Sequence, residues 1–159
     1  MRATILAILA VAATAFATPA FAQSVKHLQN SNPGGIANGV WVGDTLYLSG
    51  QLPSPSKAAA AGVPAVWGTT TEQADSSFMK IQDLLKAEGL GMGDVVMMRV
   101  YMVAGADGKL DFAGMNAAYN KYFGTATQPN KPARSTVQVA ALVTAGALLE
   151  VEVQAARNK

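Results

Sequence analysis

The 159-residue chain contains no cysteine and a single histidine, and only 14% of its residues are charged. Each shortage removes a class of function. Without cysteine there is no disulfide framework, so an exported domain of this kind must stand on its own core, with oligomerisation as a further support. His27 has no second histidine or thiol to join it, so no metal site can be read, and it reads as a solvated tail residue. The 12 Lys and Arg nearly balance the 10 Asp and Glu, and no basic cluster occurs. That gives no electrostatic footprint for nucleic acid and none for an anionic membrane surface.

The first residues read as an address. Arg2 precedes an apolar stretch over residues 5–16, and Ala20-Phe21-Ala22 offers small residues at the two positions a signal peptidase reads. Residues 1–22 are therefore expected to be a signal peptide cleaved after Ala22. The mature protein would be periplasmic or secreted, with no membrane association after cleavage. The stretch is too short and alanine-rich for a comfortable membrane span, a retained anchor being the alternative. No arginine pair is present, which points to general secretion of the unfolded chain. Loss of Arg2 would leave 11 Lys and Arg against 10 Asp and Glu. Residues 23–35 read as a loose leader and residues 36–159 as one domain, long enough for a real core.

Within that domain, Val40-Trp41-Val42, Gly43-Asp44 and Thr45-Leu46-Tyr47-Leu48 predict a hairpin. Ser49-Gly50-Gln51 follows, and Gly50 is open to two readings: an ordinary bulge or turn, or a place where a ligand approaches the backbone. Residues 52–68, with three prolines and an alanine run, predict a surface loop with a possible helical turn. Thr70 and Gln73 resemble a capping box, after which Ala74, Phe78, Ile81 and Leu85 recur at helical spacing up to Gly89. A strand is expected over residues 95–103, with Val96, Met98, Val100 and Met102 on its apolar side and the methionines as core filler. A second helix, about residues 110–123, places Phe112, Met115, Tyr119 and Phe123 on one stripe. Asn116 adjoins that stripe, either with a specific partner or simply solvated.

Two more strands close the chain. Pro132 leads into Arg134-Ser135-Thr136-Val137-Gln138, and Leu149-Glu150-Val151-Glu152-Val153 alternates strictly. The short connection containing Gly146 suggests a hairpin. If their apolar sides share a core, Arg134 and Glu150 emerge together on the opposite face, either as a site or as an ion pair that fixes the hairpin. The second helix and the first can cover only one sheet face, and a half-polar open face suggests self-association with sites in the subunit seams.

These pieces resemble one family. Val42-Gly43-Asp44, Leu48-Ser49-Gly50-Gln51, Glu72-Gln73, Ala87-Glu88-Gly89-Leu90, Gly93-Asp94-Val95-Val96, Asp111-Phe112 with Asn116 and Tyr119, Pro132-Ala133-Arg134-Ser135-Thr136-Val137 and Leu149-Glu150-Val151-Glu152 stand in the order and spacing of the RidA/YjgF/YER057c/UK114 family of reactive-intermediate deaminases. The resemblance spans about residues 36–156 of the 159. It implies a chorismate-mutase-like α+β fold, a mixed β-sheet with two helices packed on one face, assembled as a homotrimer with clefts between subunits. It also implies cofactor-free hydrolysis of 2-imino or enamino acids, such as 2-aminoacrylate, to 2-keto acids and ammonia. On that reading Arg134 holds the substrate carboxylate and Glu150 orients or activates water. Asn116, Ser49, Gly50 and the backbone near Thr136 line the pocket.

The chain departs from the family pattern in three places. Thr136 stands where many members have cysteine, which is not the essential nucleophile of the implied reaction. Ile36 stands where the deaminase branch often has a pocket tyrosine, and it would face the substrate in its place. The signal peptide removes the chain from the cytoplasmic enzymes whose imines the family is known to scavenge. A non-catalytic trimer that binds small carboxylates, or acts as a chaperone-like partner, is the alternative. A ribonuclease reading, suggested by some members, is opposed by the near-neutral charge and the absence of a basic stripe.

Overall fold

The computed structural model describes residues 23–29 and 35–157. The expected signal peptide, residues 1–22, lies outside the described residues. Strands β1 (Val25–Leu28), β2 (Gly39–Val42) and β3 (Thr45–Leu48) come first, followed by helix α1 (Thr70–Ala87). A 3₁₀ turn at Met92–Asp94 leads into β4 (Val95–Met102), then α2 (Phe112–Tyr122), β5 (Ala133–Gln138) and β6 (Leu149–Ala156). The six strands form one mixed sheet in the order β1-β2-β3-β6-β4-β5. Residues 25–28, read from sequence as part of a loose leader, instead add an edge strand antiparallel to β2.

Helix α1 forms because Phe78, Ile81 and Leu85 recur on one face, and all three are fully buried. Its cap sits one residue earlier than expected. Thr69, not Thr70, accepts from the Glu72 amide at 3.3 Å, and Glu72 accepts from the Thr69 amide at 2.7 Å. Gln73, expected to cap, turns inward and is 2% exposed. Its Nε2 donates to the carbonyls of Gly68 (3.0 Å) and Gly146 (3.2 Å), and its Oε1 accepts from the Leu148 amide at 2.9 Å. The alanine run forms no helical turn, because residues 57–66 fold back as two narrow bridges, Lys57 to Val66 and Ala60 to Val63.

Strand β4 opens with a bulge. The register with β6 shifts between Val95 and Met97, so Val95 points into the core and Val96, expected there, is 49% exposed. Beyond the bulge Met98, Val100 and Met102 face the helices, beside Leu149, Val151 and Val153 of β6.

The predicted pairing of β5 with β6 does not occur. β6 lies between β3 and β4, antiparallel to both, while β5 runs parallel to β4 at the sheet edge. The helix α2 supplies the crossover that a parallel pair requires. β5 and β6 do run in opposite directions, as a hairpin would, but β4 is interposed. The pairing decides which way the site residues point. Arg134, Thr136 and Gln138 stand opposite Met98, Val100 and Met102, and so share the helix-covered face. Glu150 stands opposite Tyr101, and Glu152 opposite Arg99, on the open face.

Candidate functional site

Arg134 projects from the edge strand towards α2. Its Nη2 donates to Asn116 Oδ1 at 2.8 Å, and Nη1 lies 3.9 Å from Met115 Sδ. The guanidinium carbon sits 4.4 Å from the Tyr119 ring centroid and 5.7 Å from that of Phe112. Asn116 thus has the specific partner that its mid-helix position suggested. None of the ion pairs among the described residues involves Arg134. The contrast with Arg99, which pairs with Glu152 on the open face, is instructive. That guanidinium is neutralised, whereas Arg134 keeps a net charge and most of its five donors. Two residues along the same face, Thr136 Oγ1 is shielded from solvent and has no hydrogen-bond partner among the described residues. Burial pushes the Tyr119 phenol above its usual range, and the Arg134 charge acts in the opposite direction.

A second group of residues gathers at the start of β6. Gln51 and Val151 exchange backbone hydrogen bonds of 2.7 and 3.2 Å, which clips Ser49-Gly50-Gln51 beside Glu150. A Cβ on Gly50 would collide with the Glu150 carboxylate. Gly50 thus makes room for the Glu150 side chain, which neither reading of the glycine had named. Ser49 Oγ donates to the Ala37 carbonyl at 2.6 Å, and Gln51 Nε2 to the Ser49 carbonyl at 2.8 Å. Ile36, next along from Ala37, is 73% exposed. The Glu150 carboxylate takes part in none of the hydrogen bonds or ion pairs among the described residues. It borders a shallow pocket of about 280 Å³ walled by Tyr101, Val139, Leu142 and Val143. Two further clefts, one beside Asp94 and Lys131 and one beside Asp107 and Asp111, touch none of these residues.

The structure therefore gathers the candidate residues into two separate groups and does not bring them together. Arg134, Asn116 and Thr136 form one, on the helix side of the edge strand. Ser49, Gly50 and Glu150 form the other, on the open face. The expectation that Arg134 and Glu150 share a face of one protomer is corrected by the parallel β4–β5 register. Their reading as a hairpin ion pair falls with it. Sequence reasoning placed Phe112 and Tyr119 on one stripe of the second helix and gave them no part in the site. Their contact with Arg134 depends on β5 lying beside β4 under α2, which periodicity does not reveal. Among the described residues no three His, Asp or Glu side chains gather as a metal site.

A mixed sheet covered on one face by two helices, as found here, defines a chorismate-mutase-like α+β protein. Comparison with known proteins narrows this class. The family model described as endoribonuclease L-PSP matches residues 32–157. The 2-iminobutanoate/2-iminopropanoate deaminase of Escherichia coli K12 is 35% identical over 109 residues, 69% of this chain and 77% of that protein. A RutC family protein of Leuconostoc mesenteroides subsp. cremoris is 38% identical over 113 residues, 70% of this chain and 79% of its own length. Among solved structures, E. coli TdcF with bound serine superposes with a TM-score of 0.62 at 30% identity, covering 79% of this chain and 90% of that one. The chain belongs to the RidA/YjgF/YER057c/UK114 family.

Proposed function

We propose that this protein hydrolyses 2-imino acids and their enamine tautomers to 2-keto acids and ammonia at a site completed between subunits. Arg134, Asn116 and Thr136 of one protomer face Ser49, Gly50, Glu150 and Ile36 of a neighbour in a homotrimer. The observation that carries the reading is the unneutralised guanidinium of Arg134. Its free in-plane donors match a carboxylate bidentately. Such a charge-assisted hydrogen bond in a shielded cleft is worth roughly 1.5–3 kcal/mol, enough to anchor a small acid. Supporting it are the deaminase names of relatives at about 35% identity. TdcF, crystallised with serine, offers a small carboxylate in a structure of this fold.

Each group then has one task. The substrate carboxylate docks on Arg134, which fixes the imine carbon in place. Glu150 accepts a proton from water as the water oxygen bonds to that carbon. The imine nitrogen gains that proton to give a carbinolamine, and the hydroxyl proton then passes to the same nitrogen as the C–N bond breaks. The hydroxyl oxygen becomes the keto oxygen as ammonia leaves, so 2-iminopropanoate and water give pyruvate and ammonia. The imine carbon is already electrophilic, so positioning and one proton relay suffice.

The open sheet face supports association. Tyr47 and Val137 lie on it, 43% and 47% exposed, beside the Arg99–Glu152 pair. Export to the periplasm or beyond is part of the proposal and rests on residues 1–22. The test generates imines with an amino-acid oxidase and traps the survivors with semicarbazide. Wild-type protein is expected to suppress the semicarbazone signal. Arg134→Ala is expected to abolish turnover of 2-iminopropanoate while leaving the trimer intact. Equal rates would refute the assignment.

A second reading has one observation in its favour: the Arg134 half-site is complete within each protomer, whereas the Glu150 half-site lies elsewhere. A protein that binds 2-keto acids without speeding imine loss would be a carboxylate-binding module.

A further inference from the structure

We infer that Phe112 and Tyr119 are positioning residues, an aromatic clamp that holds the Arg134 guanidinium in place while leaving its hydrogen-bonding edge open. The inference rests on the imine-hydrolase reading of the same site.

A half-buried cation needs compensation. The commonest partner is a carboxylate, which would occupy the in-plane donors of the guanidinium and cancel its charge. Arg134 is compensated in another direction. Cation–π attraction acts along the normal to an aromatic ring, and Tyr119 and Phe112 place their rings 4.4 and 5.7 Å from the guanidinium carbon. The one strong in-plane bond goes to a neutral acceptor, Asn116 Oδ1. The charge is thus held without being neutralised.

The two aromatic residues are anchored differently. Tyr119 is fixed from behind: it stacks on Phe123 at 4.8 Å between centroids and meets the edge of Phe78 at 6.4 Å. Its hydroxyl takes part in none of the hydrogen bonds among the described residues, so the ring is what matters. Phe112 is the first residue of α2 and is 43% exposed. Its backbone is held by the Asp111 cap, whose carboxylate accepts from the Gly114 amide at 2.8 Å. A large apolar side chain left this exposed, with its ring near a cation, contributes little to the core.

The clamp acts through Arg134 on the carboxylate end of the substrate and not on the reacting carbon, so its loss should appear in binding. The full trimer is assayed as wild type, Phe112→Leu, Phe112→Tyr, Tyr119→Phe and Tyr119→Leu. Steady-state hydrolysis of 2-iminopropanoate is measured alongside calorimetric binding of pyruvate. Phe112→Leu is expected to raise KM and the pyruvate Kd by about two- to fivefold, with kcat and Tm unchanged. Phe112→Tyr and Tyr119→Phe keep the rings and should match wild type. Tyr119→Leu should weaken binding by about tenfold; Phe112→Leu keeps the test open should that variant fail to fold. Unchanged pyruvate affinity in Phe112→Leu would overturn the clamp. So would a loss confined to kcat, or failure of Phe112→Tyr to restore affinity. Wild-type protein that binds pyruvate but leaves imines intact would defeat the hydrolase reading and leave the clamp measurable through Kd.

Discussion

Arg134 and Glu150 stand on opposite faces of one sheet, on strands separated by β4. With strands about 4.8 Å apart, no side-chain rotation brings the two groups onto one small acid within a protomer. A trimer removes the obstacle, because a heterologous interface sets one surface against a different surface of its neighbour. This makes a sharp prediction. Arg134→Ala and Glu150→Ala proteins are each inactive, but subunits mixed one to one and reassembled recover activity. In the proposed arrangement each site draws Arg from one subunit and Glu from the next, so about a quarter of sites would be restored by random assortment. No recovery in demonstrably mixed trimers would defeat the shared-site reading.

Gly50 tests the other half-site. Its missing side chain lets Glu150 lie against the backbone, and a Cβ would occupy the carboxylate's place. Gly50→Ala is therefore expected to push Glu150 out of line. Small misplacements of this kind cost about tenfold to a hundredfold in kcat. The Arg134 half-site is untouched, so the affinity for pyruvate should hold. A variant with wild-type kcat would show that Glu150 does not need that position.

The elements of the fold were legible where periodicity is long and unambiguous. Phe78, Ile81 and Leu85 announce α1, and Val40 to Leu48 announces the β2–β3 hairpin. Neighbours in the sheet were not, because alternation in β5 and β6 specifies faces and directions but not which strand lies between. The consequence fell on the site. Arg134 is polar at a position whose register partner, Met98, is fully buried, and only the parallel pairing exposes that conflict. Capping slipped by one residue because Thr69, Thr70 and Thr71 offer three hydroxyls in a row, and Glu72 selects the first. Asn116, a poor helix former in mid-helix, was left open between a partner and solvent, and its bond to Arg134 decides for the partner.

Tyr122 links the two helices and gives a pH dependence. Its hydroxyl donates to Asp75 Oδ1 at 2.9 Å, and burial, with that hydrogen bond and the Asp75 charge, pushes its pKa from 10.0 to about 12. The neutral phenol is the form that the fold favours. Its contribution is fully present below pH 10 and is lost as pH rises towards 12. Urea midpoints should fall across that window for wild type. In Tyr122→Phe the midpoint starts lower, without the hydrogen bond, and should decline less steeply. Parallel slopes for the two proteins would remove Tyr122 as the cause.

Gln73 ties the half-site of Glu150 to the core. Its amide group satisfies the carbonyls of Gly68 and Gly146 and the amide of Leu148, two residues before Glu150. Gln73→Leu keeps the bulk but leaves these backbone groups without their partner. Each buried group left unpaired costs about 1–3 kcal/mol, so a loss of about 2 kcal/mol is expected even if water reaches some of them. Chemical denaturation reads that loss directly. Because the anchored turn leads into β6 and not β5, kcat should suffer more than pyruvate affinity. Gln73→Glu separates the two roles of the amide. Its carboxylate can still accept from Leu148 but repels both carbonyls, so it should be at least as unstable as the leucine variant. A Gln73→Leu protein with wild-type stability would mean that the connection between β5 and β6 holds its shape unaided.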